Sequence, residues 1–146
     1  MKMLLRITFL LSLFLLTCSM LVAQSTEMDR PTQLTSREAS GEFGSQPITY
    51  YYTFEAGPGD FSFFIAAQGI GGTIYLRWEI LDANLKNVNG FEYFTASSEE
   101  QKIDKFTLKG KEKILIQLKY EPQNARGGKY RFRLSGAVDL PESSNK

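Results

Sequence analysis

Ile74-Tyr75-Leu76-Arg77-Trp78-Glu79-Ile80 decides the fold. Apolar side chains at 74, 76, 78 and 80 alternate with Tyr75, Arg77 and Glu79, a period of two that gives one buried and one wet face. Upstream, Ile48, Tyr50, Tyr52 and Phe54 alternate in the same way with Thr49, Tyr51 and Thr53. Glu55-Ala56-Gly57-Pro58-Gly59-Asp60 then reads as a turn, because glycine accepts positive φ and proline presets its own. Phe61 to Ala67 follows as a strand, and Gln68-Gly69-Ile70-Gly71-Gly72 as a second turn. That glycine run is not a GxGxxG fingerprint and no helical period follows it, so it builds no phosphate cradle.

Downstream, Leu81-Asp82-Ala83-Asn84 turns the chain into a short strand at Phe91–Thr95. Ile103–Leu108, Glu112–Tyr120 and Lys129–Ser135 complete the set. Short alternating segments with Gly, Pro and Asn turns and no long helical period predict an all-β protein, an antiparallel, jelly-roll-like β-sandwich of seven to eight short strands. The sandwich is expected over residues 46–138. Residues 24–45 read as a polar linker, with at most an edge strand over Gln33–Arg37, and 139–146 as a polar tail.

The N-terminus carries a different signal. Lys2 and Arg6 precede an apolar block from Ile7 to Leu16, and Ala23 precedes a polar switch, which makes 1–23 a secretory signal peptide. Two alternatives stay open. Leu15-Leu16-Thr17-Cys18 resembles a lipobox, with Cys18 as the lipidated residue, and Ile7–Ala23 is close to the length of an uncleaved anchor. Each of the three places the folded part in an extracytoplasmic space, periplasmic or secreted, with membrane attachment only through Cys18 or the retained leader. Cleavage after Ala23 removes the one cysteine, so the domain relies on packing instead of disulfides. Asn84, Asn87, Asn89 and Asn124 all fail the N-glycosylation pattern, which fits a bacterial source.

Composition excludes several chemistries. The 146 residues contain no histidine and one cysteine, which rules out a Ser-His-Asp triad, a Cys-His pair and His-ligated zinc or haem. There are 17 basic and 16 acidic residues, and without Lys2 and Arg6 the balance turns slightly acidic. A domain so close to neutral lacks the footprint of a nucleic-acid binder.

Four stretches carry a family resemblance: Tyr52-Thr53-Phe54 ahead of Ala56-Gly57, Asp60-Phe61-Ser62-Phe63, Ile80-Leu81-Asp82-Ala83-Asn84, and Gly128-Lys129-Tyr130-Arg131-Phe132. In this order, over about Pro47 to Gly136, the chain resembles the bacterial pre-peptidase C-terminal domain. The resemblance implies a small jelly-roll-like sandwich, here in a free-standing version. Members often carry an acidic residue ahead of the strand that starts here at Ile74, where this chain has Gly71-Gly72-Thr73.

Candidate functional residues follow from parity and turn position. Asp60 and Asp82 sit at strand–turn boundaries and are the carboxylates a calcium ion would use, supplemented by turn carbonyls; otherwise no cofactor is expected. Tyr50, Tyr52, Trp78, Tyr130 and Phe132 are inward, and the Trp78 indole N–H needs a partner. Tyr51, Phe64, Tyr75 and Tyr93 are outward. Arg77, Lys113, Lys119, Lys129, Arg131 and Arg133 share outward parity, interleaved with Glu79 and Glu112. The reading is an exported, non-catalytic binding or structural module that engages a protein or cell-envelope partner through a sheet face, using Tyr51, Tyr75, Arg77, Arg131 and Arg133. The alternative is a carbohydrate-binding module that stacks polysaccharide on exposed aromatics.

Overall fold

A computed structural model describes residues 24–141, with backbone alone over 89–94. The leader and Cys18 lie outside the described residues. The fold is all-β. Its strands are β1 (Thr32–Gln33), β2 (Glu38–Phe43), β3 (Ile48–Ile70), β4 (Ile74–Leu81), β5 (Asn87–Ala96), β6 (Glu100–Leu108), β7 (Glu112–Pro122) and β8 (Gly127–Asp139).

Two antiparallel sheets stack on one core, and β3 belongs to both. Its first half pairs β7, which pairs β4, which pairs β5. Its second half lies between β8 and β6, and β2 lies outside β8. The two-residue β1 runs parallel to β3.

Glu55-Ala56-Gly57-Pro58-Gly59-Asp60 is therefore not a hairpin turn. It is a bend inside one 23-residue strand, where the register against β8 shifts between Ala56 and Phe61. Gly57 has φ 85°, and a Cβ there would meet the Gly110 carbonyl oxygen at 2.2 Å. Such a bulge bends the strand while its neighbours stay paired. β8 bends at the same place, at Gly136 with φ 86°. Beyond it, Val138 and Asp139 move across to pair Ala56 and Glu55.

The segment read as a linker also differs. In place of an edge strand over Gln33–Arg37 it carries the two-residue β1 at Thr32–Gln33 and the six-residue β2 at Glu38–Phe43, and both Leu34 and Phe43 are buried. The Glu-Ala-Ser-Gly-Glu-Phe sequence of β2 alternates, but its inward residues Ala39, Gly41 and Phe43 are mostly small, so the apolar signal is weak. At the other end, Leu140 packs against the core.

Inward parity predicted the core correctly. Tyr52, Trp78, Tyr130 and Phe132 are buried and Tyr50 is half-buried. Rings join the sheets: Phe43 of β2 stacks on Tyr120 of β7 at 4.3 Å, and Tyr52 of β3 meets Phe132 of β8 edge-on at 5.1 Å. The Tyr52 and Tyr130 hydroxyls hydrogen-bond to one another in the core. Burial pushes the Tyr52 phenol up to about 12, and the Tyr130 phenol is raised by the same desolvation.

Trp78 finds the partner its indole requires. It is 1% exposed, and its Nε1–H donates to Asp104 Oδ2 of β6 at 2.6 Å, a bond from one sheet to the other. Lys102, also on β6, lies 5.8 Å from the indole centroid. Tyr120 contrasts with this, since its buried hydroxyl has no hydrogen-bond partner.

Two substitutions should thus act with opposite signs. Asp104→Ala orphans a buried donor and should destabilise by about 1–3 kcal/mol, whereas Tyr120→Phe removes an unpaired hydroxyl and should be neutral or stabilising. Urea unfolding midpoints check both. An equal loss of stability in the two variants would mean that the Tyr120 hydroxyl is bonded after all.

Candidate functional site

The outward residues fall on two faces. On β3, β7 and β4, Thr49 lies opposite Lys119 and Lys119 opposite Arg77, while Tyr51 lies opposite Gln117 and Gln117 opposite Glu79. Thr49, Arg77, Glu79, Gln117 and Lys119 line a shallow depression of about 260 Å³. Arg77 hydrogen-bonds to Glu79, and Lys119 pairs with Glu121 at 2.9 Å.

The aromatics of this face do not form a row. Tyr51 is opposite Gln117 of β7 and Tyr75 opposite Glu121, four residues along that strand. The offset is roughly 13 Å along the strand and about 10 Å across it. Both tyrosines are half-buried. The Tyr93 side chain lies outside the described residues.

Arg131 and Arg133 are on the opposite surface. There the register aligns Glu38 of β2, Arg133 of β8, Phe64 of β3 and Ile103 of β6 in a single row across four strands. The next row is Ser40, Arg131, Ala66 and Gln101. Period two on each strand explains the grouping, because Tyr130, Phe132, Leu134, Phe63 and Ile65 take the inward positions between them. The five residues singled out in the sequence thus divide, with Tyr51, Tyr75 and Arg77 on one sheet and Arg131 and Arg133 on the other. Parity tells inward from outward; it does not tell which sheet a strand joins.

The second face has a groove. Glu38, Ser40, Phe64, Gln101, Arg131 and Arg133 line about 510 Å³ of it. A neighbouring hollow of about 310 Å³ continues past Arg131 to Glu99, Gln68 and Lys129. Arg133 lies over the Phe64 ring at 5.6 Å, and Ile103 is 60% exposed beside it. Sequence reasoning passed over Ile103. Its signal was an apolar residue at an outward position of β6, between Lys102 and Asp104.

Arg131 donates to Glu99 at 3.0 Å. The Glu99 carboxyl is held below the usual carboxylate range, first by the Gln101 amide hydrogen bond and then by the Arg131 charge. Lys129 pairs with Glu42 at 3.6 Å.

The two calcium candidates are occupied with local bonding. Asp60 Oδ1 accepts from Thr107 Oγ1 of β6 at 2.6 Å. Asp82 Oδ1 accepts from the backbone N–H groups of Asn84 and Lys86 at 2.8 and 3.0 Å, organising the β4–β5 turn. Among the described residues, no group of three or more Asp, Glu, His or Cys side chains is placed to hold a metal ion.

No family model matches the chain, and no curated protein matches it. Among solved structures it is similar to the pre-peptidase C-terminal domain of a collagenase from Bacillus anthracis. The identity is 17% over 73% of this chain and 98% of that one, with a TM-score of 0.41. It is similar also to a CBM4 structure, at 12% identity over 63% of this chain, 61% of that chain and a TM-score of 0.42. A third is a family 16 carbohydrate-binding module, at 14% identity, 65% and 74% coverage and a TM-score of 0.42.

The Glu99 pair gives a direct check on the groove. Its carboxyl should titrate below 4.5, so that the carboxylate persists as pH falls past that value. Gln101→Ala and Arg131→Gln should each raise the midpoint, the first by removing the amide hydrogen bond and the second by removing both the charge and the hydrogen bond of the guanidinium, as followed by side-chain carboxyl NMR shifts. No movement in either variant would show that Glu99 faces solvent alone.

Proposed function

We propose that this chain is an exported, non-catalytic binding module that engages a protein partner through the outer face of β2, β8, β3 and β6. The observation that carries the reading is the row Glu38, Arg133, Phe64 and Ile103, whose first three members line the groove and whose fourth lies exposed next to Phe64. An aromatic and an exposed aliphatic side chain beside Arg133, with Arg131 in the next row of the same strand, is the composition of an interaction centre. Arg and aromatic residues supply most contact energy there, and the polar rim excludes water. The leader-like start of the sequence supports export.

A carbohydrate-binding reading draws on the other face, where Tyr51 and Tyr75 offer half-exposed rings. Sugar stacking works best on open, aligned rings, and these two are separated by Arg77 and Lys119. The arrangement therefore favours the arginine face and a protein partner.

The test is affinity capture of the tagged full chain from its own host, with cross-linking in the intact envelope and mass spectrometry of what is retained. One dominant protein partner is expected, with its yield reduced roughly tenfold or more by R131E/R133E. R77E should leave it unchanged. Polysaccharide recovered in place of protein, and lost with Tyr51→Ala or Tyr75→Ala, would move the function to carbohydrate binding.

A further inference from the structure

The cations of the groove face fall into two groups. Lys129 is paired with Glu42 and Arg131 with Glu99. Among the described residues, the side chains of Arg133 and Lys105 make neither an ion pair nor a hydrogen bond. Arg133 has the Phe64 ring instead, 5.6 Å from its guanidinium carbon. Lys105 is exposed on β6, two residues beyond Ile103 on the same side of the strand. It lies opposite Ser62 of β3, which lies opposite Ser135 of β8, so this third row contributes hydroxyls and one cation. Across the three rows the one carboxylate is Glu38, on the outer strand β2. It makes no ion pair either, although Arg133 is its register partner.

A guanidinium over a ring uses its face and keeps its in-plane N–H groups for other partners. Those N–H groups form the fork that receives a carboxylate through two parallel bonds. Beside the fork, half-buried Phe64 and exposed Ile103 offer apolar area for a partner to cover. Covering them also strips water from Arg133. A neutral apolar segment would leave that charge dry and unpaired, which costs far more than the apolar contact returns. A segment with a carboxylate next to its apolar side chain meets both demands. The same desolvation thus selects for acid and against its absence.

We infer that this face binds an acidic segment of a protein, with a large apolar side chain seated on Phe64 and Ile103 and carboxylates on Arg133 and Lys105. The inference rests on the proposed function and names the chemistry of its partner. Arg133 and Lys105 stand on opposite sides of Phe64, two strands apart and two residues out of register. Their backbones are separated by roughly 10 Å across the sheet and roughly 7 Å along it. An extended segment crossing Phe64 on that diagonal presents same-side residues about 7 Å apart, so one apolar residue can be flanked by acids that reach both cations. Glu38 repels such a segment from β2 and keeps it on the diagonal.

The test is zero-length cross-linking of the tagged full chain in its own host with a water-soluble carbodiimide, which joins an amine to a carboxylate only where the two touch. Peptide mass spectrometry then reads which residues are joined. The Lys105 amine is expected in an amide bond to an Asp or Glu of the partner, and Lys105→Gln should abolish that product. Arg133→Lys keeps the charge and supplies a second amine, so a second product at position 133 is expected. Lys105→Glu should lower partner yield roughly tenfold. Both positions are on the outer face, and the conservative Arg133→Lys keeps the test open should the charge reversal disturb folding. A partner that is retained and sensitive to R131E/R133E, but joined through its own lysines to Glu38 or not joined at 105 and 133, would overturn this inference and leave the protein-binding function standing. Polysaccharide in place of protein, or no partner with any cross-linker, would overturn both.

Discussion

The close approach of two backbones at one corner governs this molecule. A Cβ on Gly136 would stand 2.3 Å from the Asp60 carbonyl oxygen, so β8 passes β3 there only because the position is glycine. At that crossing both long strands leave one sheet and enter the other. Without the bend, the apolar residues of β3 would extend in one plane and could not face β4 and β6 in turn. Which residues share a surface is settled at this corner, and with it the separation of Arg77 from Arg131 and Arg133.

Between the sheets, polar groups are treated unequally. The Trp78 indole bonds to Asp104, and the Tyr52 hydroxyl bonds to that of Tyr130, while the Tyr120 hydroxyl is left unpaired among rings. Satisfied groups fix the stacking of the sheets by geometry, because each bond has a preferred direction that apolar contact lacks. The Trp78 bond ties the edge strand β6 to the central strand β4. The inward Lys102 and Asp104 have a second consequence, since charges pointing under an edge strand oppose its pairing with another chain.

Much of this was legible in the sequence. Alternation over Ile74–Ile80, Ile48–Phe54 and Lys129–Ser135 identified strands and the inward set that includes Tyr52, Trp78, Tyr130 and Phe132. The bend was misread as a turn because Gly-Pro-Gly serves both, and the choice rests on whether Gly110 and Gly136 back the strand from a distance in sequence. β2 was missed because inward alanine and glycine carry little hydrophobic signal. The candidate site was legible one residue at a time. Arg131, Arg133 and Phe64 were read as outward, but the row that joins them to Ile103 and Glu38 depends on strand order, which alternation does not encode.

The same limit explains why the two faces differ in character. β7 lies between β3 and β4, so Lys119 and Gln117 come between Tyr51 and Tyr75 and the aromatic positions are diluted by long polar side chains. On the other sheet, β3 lies between β8 and β6 and brings Phe64 into register with Arg133 on one side and Ile103 on the other. Exchanging the central strand between the sheets would leave every parity intact and would disperse that cluster. The binding surface is therefore a property of the topology, produced by a strand that bends once and so lends its outward residues to both faces.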